Sequence, residues 1–269
     1  MELFFILVVL VIGFVLLYFF AFAFSVVDDI SIAVFDKPLF IHVYLRPKKV
    51  TPEQEYILRQ KFQFYKKLSE KHKIYFHHRL ATFIDSYKFI PREDFQMNME
   101  AETLISATYV MLTFGMRRYI INSFDKIIVY PEIYYTTQSG EYYKGEFNPR
   151  LKAVVFSWKD FVSGYEIDND NLNLGIHEFS HAIHCHSLRS DDGSSLAFKK
   201  QFEIINRELN NPATRQRLID SPYFRIYAYT NAFEFIAVII EHYFETPEEF
   251  KKEFPELFNH VSKMLNNKC

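Results

Sequence analysis

No charged side chain interrupts the chain between Leu3 and Val27. Built as a helix at about 1.5 Å per residue, that run reaches roughly 37 Å, more than the hydrocarbon core of a bilayer requires. A cleavable signal sequence is the rival reading, because Ala21-Phe22-Ala23 resembles a small-residue cleavage site. No Lys or Arg precedes the apolar run, however, and the run is too long for a signal. The sequence therefore predicts a transmembrane anchor over residues 1–29, a juxtamembrane connector over 30–50 and one domain over 51–269. Within the connector the apolar run from Leu39 to Leu45 could lie against either the membrane or the domain. Lys37, Arg46, Lys48 and Lys49 follow the apolar run and no basic residue comes before it, a bias that favours a cytoplasmic domain. Two cysteines, Cys185 and Cys269, make no disulfide framework, in keeping with a reducing compartment.

Beyond the anchor the composition is that of a globular domain with an excess of Phe and Tyr, long enough to bury a substantial core. The formal net charge is −2 and no basic run extends beyond Arg46 to Lys49, so nucleic-acid binding is not expected. Thr51-Pro52-Glu53 orders a cap, a first-turn proline and an acid, and predicts a helix from Pro52 to Leu68. Further helices are predicted over Ala81 to Tyr87 and Glu100 to Phe114, the latter with so little polar face that it belongs at the centre. Three short β-rich runs follow, Lys126 to Tyr130, Tyr142 to Lys144 and Ala153 to Trp158, punctuated by Gly140, Gly145 and Pro149. They predict a small sheet. Tyr134, Tyr135, Tyr142 and Tyr143 could line a cleft there, although aromatic residues on strands more often serve packing.

The chemistry concentrates in His177-Glu178-Phe179-Ser180-His181. Residues four apart share a helix face, so His177 and His181 can converge on one Zn2+, while Glu178, about 100° round the helix, can reach a water rather than the metal. Asp170, Asn171 and Asn173 offer caps, and Leu174, Ile176, Phe179, Ala182 and Ile183 predict a largely buried helix running to about Ser187. Asp168, Asp170, Arg189, Asp191 and Asp192 flank it, leaving too short an apolar stretch for an intramembrane site.

A catalytic zinc needs a third protein ligand. His184 and His186 follow too closely on the same helix to meet a tetrahedral ion together with His177 and His181. A metzincin arrangement fails because Ser187 stands at its third histidine position and no glycine breaks the helix there. A later helix beginning near Asn231 carries Glu234, Glu241 and Glu245 on one face, the last two each within about 20° of Glu234. Asn231 with Glu234 is also a capping-box-like start, and an acidic stripe is ordinarily a solvated face, so spacing leaves Glu234 and Glu241 nearly even.

Several segments in order resemble the Mlc titration factor A family of zinc-dependent peptidases, a gluzincin group: Phe124 to Pro131, Gly140-Glu141, Val154 to Trp158, Ile176 to His181, Glu234 to Val238, Glu241 to Glu245 and Phe254 to Leu257. The resemblance implies an α+β, mostly helical zincin-like metallopeptidase domain with a small β-sheet. It also implies His177, His181 and Glu234 as zinc ligands, Glu178 as general base, and Tyr227 as a catalytic hydroxyl. His184 stands where the family commonly has Asp, and for His184 and Glu241 an orienting or structural role is expected. The expected partners are a peptide or protein substrate, trimmed from its amino terminus if the resemblance holds, and the membrane. The alternative implied by the same family is sequestration of a transcriptional repressor with catalysis secondary or absent. The transmembrane helix departs from the family's soluble members.

Overall fold

The computed structural model describes residues 1–35, 38, 40–136, 140–166 and 170–267. Lys37, Leu39, Asp168 and Cys269 lie outside the described residues. The chain begins with α1 (Glu2–Phe35), whose segment Phe4–Phe24 has a mean hydropathy of 3.1 and no buried residue. It is long and apolar enough to cross a membrane, and the helix continues eight residues beyond Val27.

The region expected as one helix from Pro52 is two, α2 (Pro52–Lys61) and α3 (Gln63–Lys67). Phe62 leaves helical geometry at φ −112°, ψ 98°, and its buried ring lies against Phe76 and Tyr165. Thr51 caps α2 in a full capping box with Gln54. The next helix, α4 (Glu70–Ser86), begins eleven residues earlier than the expected Ala81. Its buried stripe is Phe76, Arg79, Leu80 and Phe83, and a charged residue in that stripe conceals the helical period. Strand β1 (Lys88–Pro91) leads to α5 (Met99–Thr113), which is buried almost all round as expected. Two of its buried hydroxyls are satisfied within the helix, Thr108 and Thr113 donating to the carbonyls of Leu104 and Tyr109.

Then come β2 (Lys126–Tyr130), β3 (Tyr134–Thr136), β4 (Glu141–Tyr143), β5 (Gly145–Asn148) and β6 (Ala153–Ser157). The main sheet has the order β1-β2-β6-β5, with β1, β2 and β6 parallel and β5 antiparallel at the edge; β3 and β4 form a separate hairpin. All five β6 residues are buried, as a strand covered on both faces must be. Tyr134 is buried, whereas Tyr135 and Tyr142 are exposed and pair edge to face across the hairpin.

Helix α6 (Trp158–Glu166) leads to the motif helix α7 (Leu174–Arg189), followed by α8 (Gly193–Asn210), α9 (Pro212–Asp220), a 3-10 turn (Ile226–Tyr229), α10 (Ala232–Glu245), α11 (Pro247–Glu253) and α12 (Pro255–Leu265). Helix α7 is packed by α5, α6, α8, α10, β5 and β6. Gly175 permits the approach to α6: a Cβ there would meet Phe161 Cε2 at 2.6 Å. The fold is α+β, mostly helical, and it encloses the motif helix between an edge strand and α10.

Candidate metal centre

Asn173 begins the site by capping α7, its side chain accepting from the Ile176 amide. One turn of this helix then places His177 and His181 on the same side, with their Nε2 atoms 3.1 Å apart. Asn231 caps α10 in the same manner, accepting from the amides of Phe233 and Glu234. The cap holds the Glu234 backbone, while the Glu234 side chain crosses to α7. Its Oε2 lies 3.1 Å from His177 Nε2 and 3.5 Å from His181 Nε2.

These three atoms form a near-equilateral triangle, and His177, His181 and Glu234 are a group able to hold a metal ion. In a tetrahedral zinc site with bonds of about 2.0–2.1 Å, neighbouring donors stand about 3.3 Å apart. The observed separations fit that spacing, and two imidazoles with one carboxylate are a donor set suited to such an ion.

Glu241, seven residues beyond Glu234, faces the opposite nitrogen of the same ring. Its Oε1 is 2.6 Å from His177 Nδ1. Nδ1–H donating to this carboxylate leaves the Nε2 lone pair directed into the triangle. Glu241 is itself fully engaged: Arg225 Nη2 donates to Oε1 at 2.7 Å, and the Asn173 amide donates to Oε2 at 3.1 Å. Burial opposes a charge on His177, but Glu234 and Glu241 outweigh it and raise the imidazole pKa to about 10. The position thus favours a cation strongly. Burial likewise pushes Glu234 up, yet the hydrogen bonds of His177 and His181 hold its carboxyl well below the usual range.

Glu178 is buried beside the triangle. Its Oε2 accepts from the Phe147 amide of β5 at 2.8 Å, and burial raises its pKa. The edge strand can approach this closely because residue 145 is glycine: a Cβ there would meet Leu174 Cδ1 at 2.6 Å and Glu178 Cγ at 3.2 Å. Tyr227 stands at the open side, half exposed, with its ring centroid 6.3 Å from that of His177. Partial burial and the Glu234 carboxylate raise its phenol to about 12, so it remains a proton donor at neutral pH.

The matching family model decides the affiliation: residues 42–265 fit the glucose-regulated metallo-peptidase M90 family. The chain belongs to that family. Two relatives extend the M90 comparison. The "Uncharacterized protein slr2042" of Synechocystis sp. is 24% identical over 246 residues, covering 82% of this chain and 85% of its own length. Mlc titration factor A of Escherichia coli O1:K1 is 23% identical over 194 residues, covering 65% of this chain and 72% of its own length, and that of Shigella flexneri serotype 5b matches to the same extent.

Within this M90 domain the structure brings together His177, His181, Glu234, Glu178 and Tyr227. His184 points elsewhere. Its ring is packed among Phe198, Phe202 and Phe233, has no hydrogen-bond partner among the described residues, and is driven down to a pKa of about 3 by burial and by His181. Two contributors escaped sequence reasoning. Arg225 is a single arginine between Phe224 and Ile226 with no motif to mark it, and β5 showed only as punctuation at Gly145.

Proposed function

We propose that this M90 member is a membrane-anchored, zinc-dependent peptidase that hydrolyses peptide bonds, trimming from the amino terminus as the family resemblance suggests. His177, His181 and Glu234 would hold the zinc. The observation that carries the reading is the triangle of Nε2, Nε2 and Oε2 with Glu178 buried beside it. Bound by these three residues, zinc would supply Lewis-acid chemistry for a carbonyl and for water. Glu178, held by the Phe147 amide, takes the proton of the attacking water and delivers it to the departing amine. Its raised pKa suits both transfers. Tyr227 donates its phenolic proton in a hydrogen bond to the developing oxyanion. Glu241 and Arg225 keep His177 in the tautomer that binds metal. The Phe4–Phe24 segment supports anchoring, with the domain on the cytoplasmic side by the placement of basic residues.

The name Mlc titration factor A, carried by two of the relatives above, favours a second reading in which the protein binds a transcriptional regulator. Zinc analysis of the purified full chain, with aminoacyl and amino-blocked peptide reporters, tests both. The first reading expects bound zinc, cleavage of unblocked reporters, and a Glu178→Gln variant that keeps zinc while losing about 10²- to 10⁴-fold in rate. A fully active Glu178→Gln protein overturns the role of Glu178. Retention of a regulator by a parent protein that cleaves no reporter favours the second reading.

A further inference from the structure

The connector after α1 is fastened to the domain by Arg79, a fully buried arginine. Its Nε donates to Tyr44 Oη at 2.8 Å and Nη2 to the Ile41 carbonyl at 3.4 Å, while other bonds go to the carbonyls of Thr113 and Met116 at the end of α5. His42 adds an aromatic peg, stacked on Tyr75 with centroids 4.6 Å apart. Residues 41, 42 and 44 thus face the domain. Their chain neighbours face outward: Phe40 is 48%, Val43 63% and Leu45 99% exposed. Three large apolar side chains are thus displayed together on a pinned segment.

Two contacts indicate what covers them. The Phe40 ring stacks on Phe24, the last residue of the apolar span, with centroids 5.1 Å apart. Arg117 places its guanidinium 5.1 Å from the same Phe24 ring. The connector and Arg117 therefore meet the span at the level where it ends, and the exposed Arg46, Lys49 and Arg118 follow these contacts closely along the chain. Aromatic and aliphatic side chains bordered by basic ones are the pattern of an interfacial contact with anionic lipid.

We propose that Phe40, Val43 and Leu45 form a footing that enters the interface of the same bilayer that α1 crosses, with Arg46, Lys49 and Arg118 against its anionic headgroups. The domain then stands directly on the membrane and does not hang from the helix on a free tether. This inference rests on the anchored reading of α1.

The test uses the full chain with Cys185→Ser and Cys269→Ser, carrying a single dye-labelled cysteine at Val43→Cys, Leu45→Cys or, as a control, Glu248→Cys. Glu248 lies on α11, an exposed acid followed by a second, Glu249, which anionic headgroups repel. Each protein is reconstituted into phosphatidylcholine–phosphatidylserine vesicles containing doxyl-labelled lipid. Quenching at positions 43 and 45 about threefold or more above that at 248 is expected. Equal quenching at all three positions, in protein that resists an alkaline wash, overturns the footing and leaves the anchor standing. Release of the protein by the wash overturns the anchor and the footing together.

Discussion

Glu241 Oε1 and His177 Nδ1 are 2.6 Å apart, and this contact joins the far end of α10 to the first histidine of the motif. Because Glu241 touches the ring on the side away from Glu234, the two carboxylates have separable consequences. Glu234→Gln is expected to abolish stoichiometric zinc. Glu241→Gln should retain zinc but weaken its affinity by about 10- to 100-fold. Competition against a graded chelator measures both, and a Glu241→Gln protein with parental affinity would remove the orienting role.

Gly145 should tolerate no side chain without disturbing Glu178. In Gly145→Ala the added methyl would stand 2.6 Å from Leu174 Cδ1 and 3.2 Å from Glu178 Cγ, so the Leu174 side chain must turn away or β5 retreat, and Glu178 is crowded with it. Overpacking of this kind costs about 1–3 kcal/mol. We expect a lowered Tm, undiminished zinc content and a kcat reduced by about tenfold or more, since catalytic geometry is sensitive to shifts of an ångström. Unchanged kcat would show that β5 yields without moving the carboxylate.

Stability should decline on the alkaline side through Glu245. Burial raises its carboxyl, reinforced by Glu241 and Asp170 and opposed by the nearby Asn173 side chain, to about 8 from a starting value of 4.5. A raised folded-state pKa contributes stability that is full below the unfolded value and is lost as pH climbs through the folded one. The window is therefore pH 4.5 to about 8. Glu245→Gln should flatten that decline, gaining several degrees in Tm over the parent at about pH 9 and little at about pH 5. Parallel Tm curves for the two proteins would refute it.

Asp192 sets the start of α8. Its Oδ1 accepts from the amides of Ser194 and Ser195, and Oδ2 accepts from the hydroxyls of Ser190 and Ser195. Burial opposes the charge, but His186 and these serines hold the carboxyl far below its usual range. Its contribution is present above the unfolded pKa of 3.8 and lost as pH falls below that value. Asp192→Ala should cost about 1–2 kcal/mol at neutral pH, read as a lower denaturation midpoint with zinc affinity unchanged.

Local chemistry carried much of this architecture into the sequence. Asn173 and Asn231 were readable as caps because a short polar side chain before an apolar run has few other uses, and β2 begins and ends where the run Lys126 to Tyr130 does. Pairings between distant segments were not readable. Parallel β1 lies beside β2 only after a crossover through α5, and β5 reaches Glu178 from thirty-one residues away through a backbone amide that has no side-chain signature. The choice between Glu234 and Glu241 was open for a similar reason. Both lie on one face of one helix, and they differ only in which nitrogen of a distant imidazole each confronts.

That shared face makes α10 a ruler. Seven residues at about 100° each return to within about 20° of the starting direction, so two glutamates on one rigid rod reach the two nitrogens of a single ring. Inserting or deleting one residue between them would swing one carboxylate by about 100° and leave the other in place. The number of residues from Phe235 to Ile240 is therefore fixed by the period of the helix.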